Sequence, residues 1–199
     1  MQFRGRLFGS IKECLKPTAK DLVLVGDNFP LYGSHIDRSR ALLQHVSNNW
    51  ERVFVVPGTV EITGNGLRSW SRNMDEFQDF LKEGNKRNIY MLNNTEFHDG
   101  NSLLVGSTFW CGSCPTMDII KGQPFITIKT LDDWAKEDAE FIGKSIRMAI
   151  LQKKEIKIAT YFSYRELSPA VREILYSNLK DITDVPNGLG KWVTGLELN

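Results

Sequence analysis

Apolar residues in this chain follow two rhythms, and their alternation lays out the elements before any single residue is weighed. Continuous apolar runs bounded by polar or turn residues occur at "DLVLVGD" (21–27), "RVFVVPG" (52–58) and "EIKIAT" (155–160). Runs of this length, rich in β-branched residues, predict strands buried on both faces. Between them, "HIDRSRALLQHVSNNW" (35–50) places apolar residues at 36, 42, 43, 46 and 50, close to helical spacing. "NMDEFQDFLKEG" (73–84) predicts a helix with Asn73 as N-cap, Glu76 three residues on and Gly84 as its stop. "TLDDWAKEDAEFIGKSIRMAILQKK" (130–154) predicts the longest helix, with Thr130 as N-cap and acids in its first turn. A further helix is expected over "SPAVREILYSNLK" (168–180), capped by Ser168 with Pro169 at its first position. "IYMLNNTEFHDGNSLLVGST" (89–108) predicts strands around an Asp99-Gly100 hairpin turn. "FRGRLF" and "GKWVTGLELN" supply an opening and a closing strand. Strands alternating with helices, one hairpin, and no repeat or interdomain linker predict a single layered α/β domain over residues 1–199.

Composition narrows the class without naming an activity. With 199 residues, 41% hydrophobic and 25% charged, the chain can bury a substantial core and is not of disordered type. A formal net charge of +1 gives no electrostatic reason to expect nucleic acid or an anionic membrane as partner. No apolar run reaches the roughly 18 residues of a membrane span. The opening "MQFRGRLFGS" is interrupted by Arg4 and Arg6 and lacks the apolar core of a secretory signal. Together with an odd cysteine count, 3, this predicts free thiols in a reducing compartment, so a cytoplasmic and not a secreted protein.

Chemistry in open α/β sheets collects beyond the carboxyl ends of the strands. The readable ends are Gly26-Asp27-Asn28, Gly58-Thr59-Val60-Glu61, Ser107-Thr108-Phe109, Thr160-Tyr161-Phe162 and Thr194-Gly195-Leu196-Glu197. Their first four offer the carboxylates Asp27 and Glu61 and no histidine. His35 and His45 fall on or near a helix, ten residues apart, and His98 lies beside the hairpin turn. None has the spacing of a helical metal site, and each is expected on the surface or partly packed.

The order of these tips resembles the calcineurin-like metallophosphoesterases, in particular their small bacterial and viral branch with its GD, GNHE, THH and GHTH series. "DLVLVGDN" is similar to the strand ending in Gly-Asp, and "HVSNNWERVFVVPGTVE" to the helix and strand ending in Gly-Asn-His-Glu. "IYMLNNTEFHDGNSLLVGSTFW" resembles the hairpin that leads to Gly-Ser/Thr-Thr-Leu-Trp. "IKIATYFS" stands where Val-Val-Thr-His-His would be, and "KWVTGLEL" where Trp-Ile-His-Gly-His-Thr-His would be. The resemblance implies an αββα sandwich, shortened at the C-terminus relative to active relatives.

It also implies a site that has lost its chemistry. Such enzymes hold two metals bridged by an Asp, which generate a hydroxide nucleophile at a phosphate. The bridging position is Asp27, the one ligand retained. The Asp-x-His positions fall on Arg6 and Phe8, the Asn ligand on Thr59 and the catalytic His on Val60. The His-His pair falls on Tyr161 and Phe162, and the last two histidines on Leu196 and Leu198. No catalytic residue and no metal cofactor is therefore expected. The apolar replacements imply a site filled as core, with Asp27 in apolar surroundings and paired with Arg6, or else capping its own loop through Asn28 and backbone amides. The implied function is that of a pseudoenzyme with a structural or protein-interaction role, its partners other proteins in a larger assembly. By analogy with duplicated enzymes of large DNA viruses, the setting is a virion or host cytoplasm. The alternative is a residual hydrolase with a manganese, iron or zinc pair.

"FWCGSCP" (109–115) carries a third possibility, a thiol oxidoreductase using Cys111 and Cys114. That chemistry requires the first Cys at a helix N-terminus, and Gly122 and Pro124 leave room for about two helical turns. The expectation is loop thiols. The tryptophans 50, 70, 110, 134 and 192 are expected as packing anchors, and "RSWSRN" (68–73) as a solvated basic loop.

Overall fold

The structure, a computed structural model, describes residues 15–63, 70–110, 128–161, 168–178 and 191–194. The predicted opening strand, Arg6, Phe8, Phe162, Leu196, Leu198 and all the cysteines lie outside the described residues.

Within them the chain is mixed α/β, built on two sheets. The first has the order β1 (Asp21–Val25), β2 (Arg52–Val56), β3 (Ile89–Met91), all parallel. The second pairs β4 (Thr95–Asp99) antiparallel with β5 (Ser102–Ser107), then adds β6 (Glu155–Thr160) and β7 (Lys191–Thr194) in parallel. The helices are α1 (Ile36–Asn49), the short α2 (Thr59–Thr63), α3 (Trp70–Leu81), α4 (Ile128–Leu151) and α5 (Pro169–Ser177).

Central strand β2 shows why the apolar runs are continuous. Val53 and Val55 face a cluster with Leu43 and Val46 of α1 and Phe77 and Phe80 of α3. Phe54 and Val56, on the opposite face, join the cluster that holds Leu103 and Val105 of β5. The ring of Phe54 meets Phe97 of β4 edge-on at 4.7 Å, so the two sheets face each other here. On the far side of the second sheet, α4 contributes Leu131, Ala135, Ala139, Ile142, Ile146 and Ala149, and α5 contributes Val171 and Leu175. Trp50 and Trp110 are buried, and Trp110 packs against Trp134 at 5.3 Å.

Several expected boundaries move. Asn73 is not an N-cap: α3 begins by Trp70, because the buried positions Asn73, Met74, Phe77, Phe80 and Leu81 form a stripe that continues inside the helix. Thr130 is likewise internal to α4, which starts at Ile128 and has no acid in its first turn. The strands over 89–108 are divided between the two sheets, with Ile89–Met91 pairing β2 and only β4 and β5 forming the hairpin. Its two turn residues are Gly100 and Asn101, and Gly100 takes φ +57°, the left-handed conformation glycine tolerates best. Ser168 does cap α5, its hydroxyl accepting from the Val171 amide at 3.4 Å, with Pro169 first in the helix. Among the described residues no helix is long and apolar enough to cross a membrane.

Candidate functional site

The carboxyl ends of β1, β2, β5 and β6 converge. Thr108, after β5, donates its hydroxyl to the Pro57 carbonyl beyond β2 at 2.9 Å. Tyr161, after β6, donates its hydroxyl to Asp27 Oδ2 beyond β1 at 2.6 Å. Four of the positions singled out in the sequence, Asp27, Thr59, Val60 and Tyr161, therefore meet.

Their contacts form one network around Asp27. Oδ1 accepts the Val60 amide at 2.9 Å and the Thr59 hydroxyl at 3.1 Å, while Tyr161 holds Oδ2. Thr59 and Tyr161 hydroxyls lie 3.4 Å apart. The strand end at 59–61 is the first turn of α2, and this explains the geometry. A helix start leaves backbone N–H groups without intrahelical partners, normally met by an N-cap side chain and by a Glu at the third position. Here the N-cap is Gly58, which has no side chain. Asp27 takes the Val60 amide in its place, reaching across from the neighbouring strand.

Glu61 supplies the other half of that arrangement and more. Its carboxylate accepts the Gly58 amide at 2.9 Å, and also those of Asp27 (2.9 Å), Asn28 (2.6 Å) and Phe29 (2.7 Å). At 2% exposure it is buried, and desolvation pushes its pKa up while the Phe29 and Gly58 amides pull it back down. The loop-capping role expected of Asp27 and Asn28 thus belongs to Glu61; the Asn28 side-chain amide donates instead to the Gly26 carbonyl at 2.6 Å. The close approach of β1 and β6 requires Gly26: a Cβ there would lie 1.8 Å from the Tyr161 ring, on a backbone at φ +58°.

One expectation is corrected at this point. Asp27 is exposed, not enclosed by apolar side chains, and Tyr161 and Thr59 meet it with hydroxyls. Its described partners are those two residues and Val60; Arg6 lies outside the described residues. Tyr161 stays a donor, since burial and the neighbouring Asp27 charge raise its pKa above the ordinary tyrosine value.

A metal pair of the kind the resemblance implies does not fit these side chains. A cation needs lone pairs aimed at it, whereas Thr59 and Tyr161 aim hydrogens at Asp27 and the Val60 side chain has no donor atom. Among the described residues no three His, Cys, Asp or Glu side chains gather closely enough to hold a metal ion. The histidines are dispersed: His45 Nε2 contacts the Leu15 carbonyl at 2.9 Å, His98 lies 3.2 Å from Glu96, and His35 packs on the Tyr32 ring. Arg72 of the basic segment pairs with Glu76 within α3 at 3.7 Å.

A second buried carboxylate sits one strand away. Asp138 of α4 accepts the Trp110 amide at 3.1 Å and the Asn94 side-chain amide at 2.6 Å, with Ser107 as a further partner. Burial lifts its pKa to about 6 against those hydrogen bonds. Asn94 Oδ1 is buried without a hydrogen-bond partner among the described residues. Sequence reasoning passed over Asp138, although it stands at a core position of the Leu131, Ala135, Ala139, Ile142 stripe. No family model, curated protein or solved structure matches the chain.

Proposed function

We propose that this chain has the calcineurin-like phosphoesterase architecture without its metal chemistry, and acts as a non-catalytic protein that binds other proteins within an assembly. The order helices, sheet, sheet, helices is compatible with the αββα arrangement of that family. The observation that carries the functional reading is the Asp27 network. The carboxylate at the bridging position is occupied by the Thr59 hydroxyl, the Val60 amide and the Tyr161 hydroxyl, at positions where the family places metal ligands and its catalytic His. A hydrogen-bonded lock stands where a Lewis acid would be needed, and neither Thr59 nor Tyr161 is placed to activate water beside a phosphate.

The test is direct. Purified protein supplied with manganese is expected to retain no stoichiometric metal and to leave an aryl phosphodiester unhydrolysed. Stoichiometric metal together with turnover that Asp27→Ala abolishes overturns the proposal.

A further inference from the structure

At the opposite edge of the two sheets, where β1 and β2 begin and the β4–β5 hairpin turns, lies a cavity of about 170 Å³. Its apolar wall is formed by Val23, Phe54, Phe97 and Leu104. The space is a cleft open to solvent on one side, not an enclosed void. An apolar cavity of about 150 Å³ is enough to take up benzene. Val23, Phe97 and Leu104 are only partly buried, so the apolar wall is reached from solvent at this edge.

The mouth is charged but balanced. Arg52 binds Asp21 through Nε and Nη2, both at 2.6 Å, and Asp99 through Nη2 at 2.8 Å. Its guanidinium lies 5.4 Å from the Phe97 ring centroid. Lys157, the fourth charged residue at the cavity, brings the two acids and two bases to zero net charge. An anionic ligand at Arg52 would have to displace Asp21 from a bidentate contact or Asp99 from a single-oxygen one, both charge-assisted. A cation would compete with Arg52 for the same carboxylates. A neutral ring meets neither cost, and a hydroxyl on it finds carboxylate acceptors at the rim.

We propose that this cavity is a binding site for a neutral one-ring aromatic carrying a hydrogen-bond donor, the phenol class. The ring enters among Phe54, Phe97, Val23 and Leu104, and the hydroxyl donates to Asp99, which contacts Arg52 through a single oxygen. The site is separate from the Asp27 network and stands whether or not the proposed function holds.

Titration of the full chain with 4-fluorophenol, followed by fluorine NMR, tests it. Saturable binding is expected with a dissociation constant on the order of 1 mM, as suits a ligand this small. Leu104→Trp, which fills the cavity, and Ser102→Trp, which blocks its rim from a partly exposed position, should each weaken binding at least about tenfold. If Leu104→Trp fails to fold, Ser102→Trp decides. Benzoate and benzylammonium should each bind at least about tenfold more weakly than the phenol. Absence of saturation, binding indifferent to Ser102→Trp, or benzoate binding as tightly as the phenol overturns the proposal.

Discussion

Tyr161 is the residue on which the Asp27 network turns. It reaches from the second sheet to the first, and its ring lies where any side chain at position 26 would have to go. Removing only the hydroxyl separates the hydrogen bond from the packing. Tyr161→Phe is expected to lower stability by about 1 kcal/mol, the usual net value of one hydrogen bond, because the exposed Asp27 carboxylate recovers water in its place. Urea unfolding with unchanged slope measures this. A loss above about 3 kcal/mol would mean that Asp27 is left buried and unpaired, contrary to its exposure. The sequence exposed this residue only through its position after a strand, since nothing in "IKIATYFS" says that the Tyr hydroxyl points to Asp27 rather than to solvent.

At the scale of elements, Glu61 joins the ends of β1 and β2 and caps α2. Asp27, Asn28, Phe29 and Gly58 all meet it with backbone N–H groups, which match a carboxylate with two accepting oxygens. Glu61→Gln preserves shape but turns an NH2 group against two of those donors. The expected cost is about 2–4 kcal/mol, two lost bonds to a charged acceptor. Amide exchange should accelerate selectively at the pair facing the new NH2 group, either Asp27 and Gly58 on one oxygen or Asn28 and Phe29 on the other; unaltered exchange at both pairs would show that the loops are held by something else. Strands β1, β2 and β6 were legible from their continuous apolar runs and helix α1 from its helical spacing, local signals that survive without knowledge of partners. The assignment of Ile89–Met91 to the other sheet, the start of α3 before Asn73, and α2 itself were not. Each is decided by contacts far along the chain, such as Leu92 N–H to the Val55 carbonyl at 2.8 Å, which no local pattern encodes. The convergence of Asp27, Thr59, Val60 and Tyr161 was readable as strand-end positions; the hydrogen bonds that define what they do were not.

For the whole molecule, Asp138 links the second sheet to α4, tying Asn94 before β4 and Trp110 after β5 to the helix. Its folded pKa, about 6, lies above the ordinary value of 3.8. The folded state therefore holds this proton more tightly than the unfolded chain does. The associated stability is fully present below about pH 4, falls as pH rises through 4 to 6, and is gone above. A shift of that size corresponds to an effect on the order of 3 kcal/mol, undiminished by solvent because the carboxyl is buried. Glu61, also raised by burial, contributes with the same sign. Asp99 acts oppositely: the Arg52 hydrogen bond holds its pKa down, so its contribution is present at neutral pH and lost in acid. Total stability against pH thus mixes both signs, and the Asp138 term must be isolated by difference. Asp138→Asn removes that titration while keeping one accepting oxygen, so the variant should gain on the wild type by roughly 3 kcal/mol between pH 4 and pH 7. Urea unfolding of both proteins across that range supplies the measurement. A difference that stays constant with pH would mean that Asp138 is ionised throughout, its Trp110, Asn94 and Ser107 contacts fully offsetting burial.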